Sequence, residues 1–176
     1  MNITERVKNA VRDIPDFPQP GILFKDITPL VLDADLSKAI TAELVARARK
    51  LKPTAVCGIE SRGFLFGVSM AQELGVPLIL IRKKGKLPGK TIEVAYALEY
   101  GEAVIEMHAE DLPPGSRVLI HDDLLATGGT ATAAAHLVEK AGSEVVGFSF
   151  LINLSFLPGE GKIRKVCEEV QAIVSY

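Results

Sequence analysis

Two adjacent acids, Asp122 and Asp123, end the apolar run of VLIHDDLLATGGT, residues 118–130. Paired carboxylates at a strand end are costly without a partner. Behind them come Ala126, Thr127, Gly128, Gly129 and Thr130, a small glycine-rich turn that opens a helix. Such a turn offers unpaired backbone N–H groups, two hydroxyls and room for close approach, and helix N-termini favour anions. A phosphate belongs on the turn. The acids cannot bind it; they suit sugar hydroxyls or a divalent cation. Together these features describe a site for a ribose 5-phosphate.

Two more segments could act on the same ligand. Glu60-Ser61-Arg62-Gly63 follows the apolar run 54–59, and its arginine supplies charge for an anion. Residues 82–90 (RKKGKLPGK) are basic, with two glycines and a proline. The stretch 85–91 is a near-match to a nucleoside-triphosphate P-loop and is rejected as one. It is one residue short between its glycines, has proline where N–H groups are needed, and precedes an alternating pattern instead of a helix. Cys57 lies in an apolar run and reads as a buried small hydrophobe. Cys167 completes no CxxC or zinc spacing. His108, His121 and His136 are scattered, and His121 reads as strand packing.

The elements that position these groups follow from periodicity. Helical spacing marks 2–13, 36–50, 63–74, 131–141 and 162–170, and apolar strands mark 54–59, 77–81, 117–121, 145–152 and 172–174. Pro15, Pro18, Pro20 and Gly21 force an extended, turning segment after the first helix. Residues 91–99 and 102–108 alternate like a hairpin around Tyr100-Gly101. Apolar strands alternating with helices imply a parallel sheet covered on both faces, with ligands at the carboxyl ends of the strands. A lid is expected over 82–96, because its composition leaves little but a bound anion to hold it down.

The chain has 176 residues, 48% of them hydrophobic and 24% charged, with a formal net charge of -2. That suits one domain with a real core and argues against a nucleic-acid partner, whose binders are basic. No apolar run reaches the roughly 18 residues of a membrane helix. The N-terminus is charged and amphipathic, unlike a signal peptide, and a cytoplasmic location is expected.

Residues 118–130 resemble the phosphoribosyl pyrophosphate signature of the type I phosphoribosyltransferases. Four further blocks make the resemblance specific to the adenine-using members of that family: DFPQPGILFKDITP (16–29), ESRGFLFG (60–67), RKKGKLPG (82–89) and LEYG (98–101). The resemblance implies an α/β type I phosphoribosyltransferase fold: a central parallel sheet flanked by helices, with an antiparallel flap over 82–107 and an N-terminal base-binding segment over 1–35, in a single domain 1–176. It implies a Mg²⁺-dependent reaction of adenine with phosphoribosyl pyrophosphate to give AMP and pyrophosphate, the metal held mainly through phosphoribosyl pyrophosphate with no dedicated protein metal site. Asp122 and Asp123 would take the ribose hydroxyls, and 126–130 the 5-phosphate. Ser61 and Arg62 would meet pyrophosphate, in a loop that often contains a non-proline cis peptide. Arg82 and Lys86 would close over it, while Lys83 and Lys84 could be a solvated charge run. Glu99 would be the acid/base carboxylate near adenine N7. Leu23 would read the adenine edge through its backbone, Phe24 would stack on the base, and Leu154 would cover the other face. Lys25, at a position often held by arginine, would be a further substrate-binding residue of the base pocket. A homodimer is expected, with helix 63–74 and its Phe64 and Phe66 contributing. A xanthine or guanine phosphoribosyltransferase and a phosphoribosyl pyrophosphate-sensing regulator are the alternatives.

Overall fold

The computed structural model describes residues 1–97 and 101–176; Leu98, Glu99 and Tyr100 lie outside it. In chain order the elements are α1 (Ile3–Ala10), β1 (Arg12–Pro15), β2 (Leu23–Asp26), α2 (Thr28–Leu32), α3 (Ala34–Ala48), β3 (Ala55–Ile59), α4 (Gly63–Leu74), β4 (Leu78–Lys83), β5 (Thr91–Ala97), β6 (Glu102–His108), β7 (Arg117–Leu125), α5 (Gly129–Lys140), β8 (Glu144–Asn153), α6 (Gly159–Ile163) and β9 (Val170–Ser175).

Strands β3 to β9 form one sheet in the order β5-β6-β4-β3-β7-β8-β9. β4, β3, β7, β8 and β9 run parallel, while β5 and β6 join antiparallel at the β4 edge as the flap hairpin. β3 is buried along its whole length, as expected for a central strand covered on both faces. One core cluster joins β3, β7 and β8 to the buried face of α5, with Ile120, Leu137, Phe148 and Phe150 at its centre. The other packs α1, α3 and α4 against the opposite face through Val7, Ile40, Leu44, Phe66, Met70 and Leu119.

The chain leaves β3 toward β4 on one side and returns to β7 on the other, so the order reverses at β3. The carboxyl ends of β3 and β7 therefore border a crevice of the kind that holds ligands in open α/β sheets.

Several element boundaries differ from the sequence expectations, including four that bear on the site or the core. β7 runs to Leu125 and not to residue 121, so Asp122 and Asp123 are strand residues, paired along β8 (Asp122↔Phe150). α1 ends at Ala10, because residues 12–15 pair with 23–26 as an antiparallel ribbon, Ile14 opposite Phe24. α5 starts at Gly129, two residues early. The helix expected over 162–170 shrinks to the short α6, and residue 170 already belongs to β9, opposite Phe148. Phe66, expected to serve a dimer surface, is 1% exposed within the core. The large apolar residues that α4 turns outward are Leu65 and Val68.

Candidate active site

The acids, the glycine turn and the Glu60–Gly63 loop meet at one end of the sheet. Gly63, the first residue of α4, packs directly on β7. A Cβ there would lie 2.8 Å from the His121 carbonyl oxygen and 3.1 Å from Asp122 Cα and Oδ1. This close approach brings Arg62 to the acids: its Nε is 2.9 Å from Asp123 Oδ2. The same guanidinium lies 5.0 Å from the Phe24 ring centroid. The Glu60–Ser61 peptide is cis.

The acid pair is electrostatically loaded. Asp123 is 3% exposed, and its backbone N–H donates to Asp122 Oδ1 at 2.8 Å. Burial, and then the Asp123 charge, push the Asp122 carboxyl well above the usual carboxylate range. Burial also raises Asp123, against the opposing pull of Arg62. Asp123 Oδ2 is buried and accepts no hydrogen bond, so its contact with Arg62 is a charge contact without aligned N–H geometry. Such a pair is poised to accept hydroxyl donors.

The turn after β7 closes a cleft of about 100 Å³ lined by Asp122, Leu124 and residues 125–131 with Phe150 beneath. Gly128 adopts φ +76, which a side chain would strain. It heads α5 with no side-chain cap, so the first N–H groups of the helix face the cleft. Two contacts that sequence patterning did not flag shape this turn. Gly159 of α6 approaches so closely that a Cβ on it would strike the Ala126 carbonyl, and a Cβ on Gly128 would lie 2.9 Å from Gly159 oxygen. The Tyr96 hydroxyl of β5 lies 3.1 Å from Thr130 Oγ1, tying the flap to the turn. The only sequence signal for either was an isolated glycine and a strand tyrosine.

Beside Arg62, the β1–β2 ribbon presents Phe24, half-buried and edge-on to Phe17 at 5.0 Å. Leu23 is exposed. Lys25 departs from its expected place at the base. Successive strand side chains face opposite ways, and its ammonium is buried away from Phe24, 2.7 Å from Asp13 Oδ1 and 4.0 Å from the Tyr176 ring centroid. Any base contact from position 25 falls to the main chain. Leu154 is half-buried, and its N–H donates to the Leu125 carbonyl. Tyr176 pairs with the residues on both sides of Leu154, through Asn153 O and Ser155 N. Tyr176 thus joins the Leu154 wall to the Phe24 ribbon.

The basic segment has an anchor that composition did not reveal. Arg82 Nε and Lys83 N both donate to Glu60 Oε2, at 3.0 and 2.9 Å. The Lys86 and Leu87 N–H groups both donate to Glu106. Lys86 itself is exposed, while Lys84 pairs with Glu93. Ser61 and Thr127 are exposed at the rim. Glu99 falls among the residues outside the described ones, so its place in the site is not described.

Other titratable groups stand apart from the chemistry. His121 is wholly buried, which lowers its pKa to about 4, and its Nδ1 sits 3.3 Å from Ser149 Oγ. Burial pushes the Cys57 thiol up to about 12. Among the described residues no group of three or more His, Cys, Asp or Glu could hold a metal ion. Asp123 Oδ2, which accepts no hydrogen bond, and the neighbouring Asp122 are oxygen donors suited to assist a hard cation that arrives on a ligand.

Residues 31–174 match the phosphoribosyl transferase domain. The chain is 52% identical to an adenine phosphoribosyltransferase of Cytophaga hutchinsonii, over 99% of this chain and 96% of that one. The chain belongs to the adenine phosphoribosyltransferase family. Solved structures of this family superpose closely. The Rhodothermus marinus adenine phosphoribosyltransferase is 46% identical, covers 99% of this chain and 98% of its own, and has a TM-score of 0.92. The Saccharomyces cerevisiae enzyme, complexed with an imino-altritol bisphosphate and adenine, is 36% identical, covers 97% and 98%, and has a TM-score of 0.89. The acid pair and the glycine turn occupy consecutive positions of one strand and its exit, so their separation is fixed by the backbone of β7 itself.

Proposed function

We propose that the chain transfers the 5-phosphoribosyl group from phosphoribosyl pyrophosphate to adenine, giving AMP and pyrophosphate. The observation that carries this reading is the position of Arg62, in contact at once with Asp123 and with the Phe24 ring. A base stacked on Phe24 and a sugar on the acids are therefore neighbours.

In this reading the anomeric carbon–oxygen bond breaks, and its electron pair leaves on pyrophosphate. The sugar becomes oxocarbenium-like, and adenine N9 forms the new bond to the anomeric carbon. The adenine ring proton passes to a carboxylate, a role we give to Glu99. Asp122 and Asp123 accept the 2- and 3-hydroxyls. Residues 126–130 hold the 5-phosphate with helix-start N–H groups and the Thr127 and Thr130 hydroxyls. Ser61, Arg62, Arg82 and Lys86 stabilise the departing pyrophosphate. Leu23, Phe24 and Leu154 form the base slot and exclude water from the sugar cation. Mg²⁺, carried mainly by the phosphate oxygens of phosphoribosyl pyrophosphate, would neutralise the leaving group.

Two further parts of the reading concern context. The exposed Leu65 and Val68 on α4 support pairing with a second copy of the chain. The unpaired cysteines support a cytoplasmic setting, and no helix among the described residues is long and apolar enough to cross a membrane.

Radiolabelled adenine incubated with phosphoribosyl pyrophosphate and Mg²⁺ should yield labelled AMP, and a chelator should abolish it. Absence of AMP from a folded preparation would overturn the reading.

A further inference from the structure

The segment after β4 carries five cations, Arg82, Lys83, Lys84, Lys86 and Lys90, yet a carboxylate is buried beneath it. Glu106 on β6 stands opposite Arg82 in the β4–β6 register and is 3% exposed. Its Oε1 accepts the backbone N–H groups of Lys86 and Leu87, each at 2.9 Å, and its Oε2 accepts the Thr91 hydroxyl at 3.3 Å. Burial works to raise its pKa, but the N–H groups of Leu87, Gly85 and Lys86, with the Thr91 hydroxyl, outweigh it and hold the carboxyl below its usual range. Glu106 is therefore an anion at neutral pH.

A negative charge under a segment that receives an anion opposes that anion at long range. An apolar side chain would have filled the same space without this cost. The reason for a carboxylate lies in what it grips. The Lys86 peptide is held from both sides: its N–H by Glu106, and its carbonyl by the Arg82 guanidinium at 3.1 Å. Arg82 is fixed in turn by Glu60. The turn that would otherwise be a loose, cationic loop is locked to the hairpin by this buried carboxylate at Lys86 and Leu87, and by His108 Nε2, 2.9 Å from the Pro88 carbonyl oxygen, at its far end.

We propose that Glu106 is a positioning residue for the pyrophosphate group, holding the 85–88 turn so that Arg82 and Lys86 present their charges together. This rests on the reading of residues 82–90 as the pyrophosphate-binding segment. Preorganised cations spare the ligand the entropy of ordering them. The effect is confined to ligands that carry pyrophosphate, because neither the base slot nor the β7 acids touch Glu106.

The test is a set of steady-state measurements in both directions on the intact protein. Glu106→Gln keeps the size and one acceptor oxygen but removes the charge. It should raise KM for phosphoribosyl pyrophosphate, and for pyrophosphate in the reverse reaction, by about tenfold, while KM for adenine and AMP stays within about twofold. Thr91→Val, which removes only the longest of the three bonds, should move the same two constants by about two- to threefold. A uniform loss of kcat with unchanged KM values would mark Glu106 as merely structural and overturn the proposal. If Glu106→Gln does not fold, Thr91→Val decides alone, and unchanged KM values there overturn it. Arg82→Ala separates the two layers. If it leaves both KM values unchanged, the pyrophosphate assignment of the segment fails and Glu106 fails with it. If Arg82→Ala raises them and Glu106→Gln does not, only the role of Glu106 falls.

Discussion

Arg62 Nε stands 2.9 Å from Asp123 Oδ2, and the same guanidinium lies 5.0 Å from the Phe24 ring centroid. One side chain thus touches both the acid pair and the aromatic base wall. Arg62→Ala leaves the acid pair without its nearest cation, and should lower kcat/KM for phosphoribosyl pyrophosphate by about 100-fold. Arg62→Lys restores the charge without the flat guanidinium face. Its KM for phosphoribosyl pyrophosphate should recover further than its KM for adenine. Equal recovery of both would show that the Phe24 contact is incidental.

The acid pair trades stability for binding. Asp122 is desolvated beside another carboxyl, and an amide keeps its oxygen for the Asp123 N–H. Asp122→Asn should therefore raise the melting temperature at pH 8 by about 2–4 °C. Calorimetry should show phosphoribosyl pyrophosphate binding weakened by about 1.5–3 kcal/mol. A variant that binds as tightly as the parent would remove Asp122 from the sugar site.

His121 and the acid pair make opposed contributions to the pH dependence of stability. His121 has its pKa lowered from 6.5 to about 4 by burial. Between those values the unfolded chain binds more protons, so this contribution is lost as pH falls through the window. The raised acids act in the other direction: the folded chain binds protons first, and stability is gained as pH falls through their elevated values. Asp122→Asn removes part of the second contribution and none of the first. Its melting temperature should fall more steeply than the parent's as pH is lowered from about 8 toward the unfolded carboxylate value near 3.9, because the parent alone gains from protonating the raised Asp122. Parallel melting curves would contradict the assignment of elevated acids.

Two glycines should behave oppositely to alanine. At Gly63 a Cβ meets the His121 carbonyl and Asp122 at 2.8–3.1 Å. Gly63→Ala should cost about 1–3 kcal/mol of stability, as overpacking does, and displace Arg62 from Asp123 with a loss of activity. At Gly161, inside α6, a Cβ meets nothing within 4 Å, so Gly161→Ala should leave activity unchanged and add about 0.5–1 kcal/mol of stability. Urea melts and initial rates on the two variants make the comparison.

The alternating order of apolar strands and helices was legible because buried parallel strands leave continuous apolar runs. The acid-glycine segment was legible because its polar groups interrupt such a run. The end of β7 was not, since charged residues look like loop even where pairing with β8 continues the strand. The β1–β2 ribbon escaped because its prolines and short strands obscure period-two alternation, and its pairing is non-local. The clamp of Gly159 on the turn and the buried grip of Glu106 on the basic segment involve residues far apart in sequence. Neither leaves a periodic trace. Lys25 was misplaced because residue type reveals a charge but not the strand face it takes; Asp13 and Tyr176 claim it on the side away from Phe24.

Initial rates with adenine, hypoxanthine, guanine and xanthine measure directly whether the enzyme transfers to adenine in preference to other purines. At saturating phosphoribosyl pyrophosphate and Mg²⁺, kcat/KM for adenine should exceed that for each 6-oxo purine by at least about 100-fold, since main-chain groups that pair with a 6-amino group would be left unpaired against an oxo group. Turnover of hypoxanthine, guanine or xanthine at a rate equal to or above that of adenine would contradict the account.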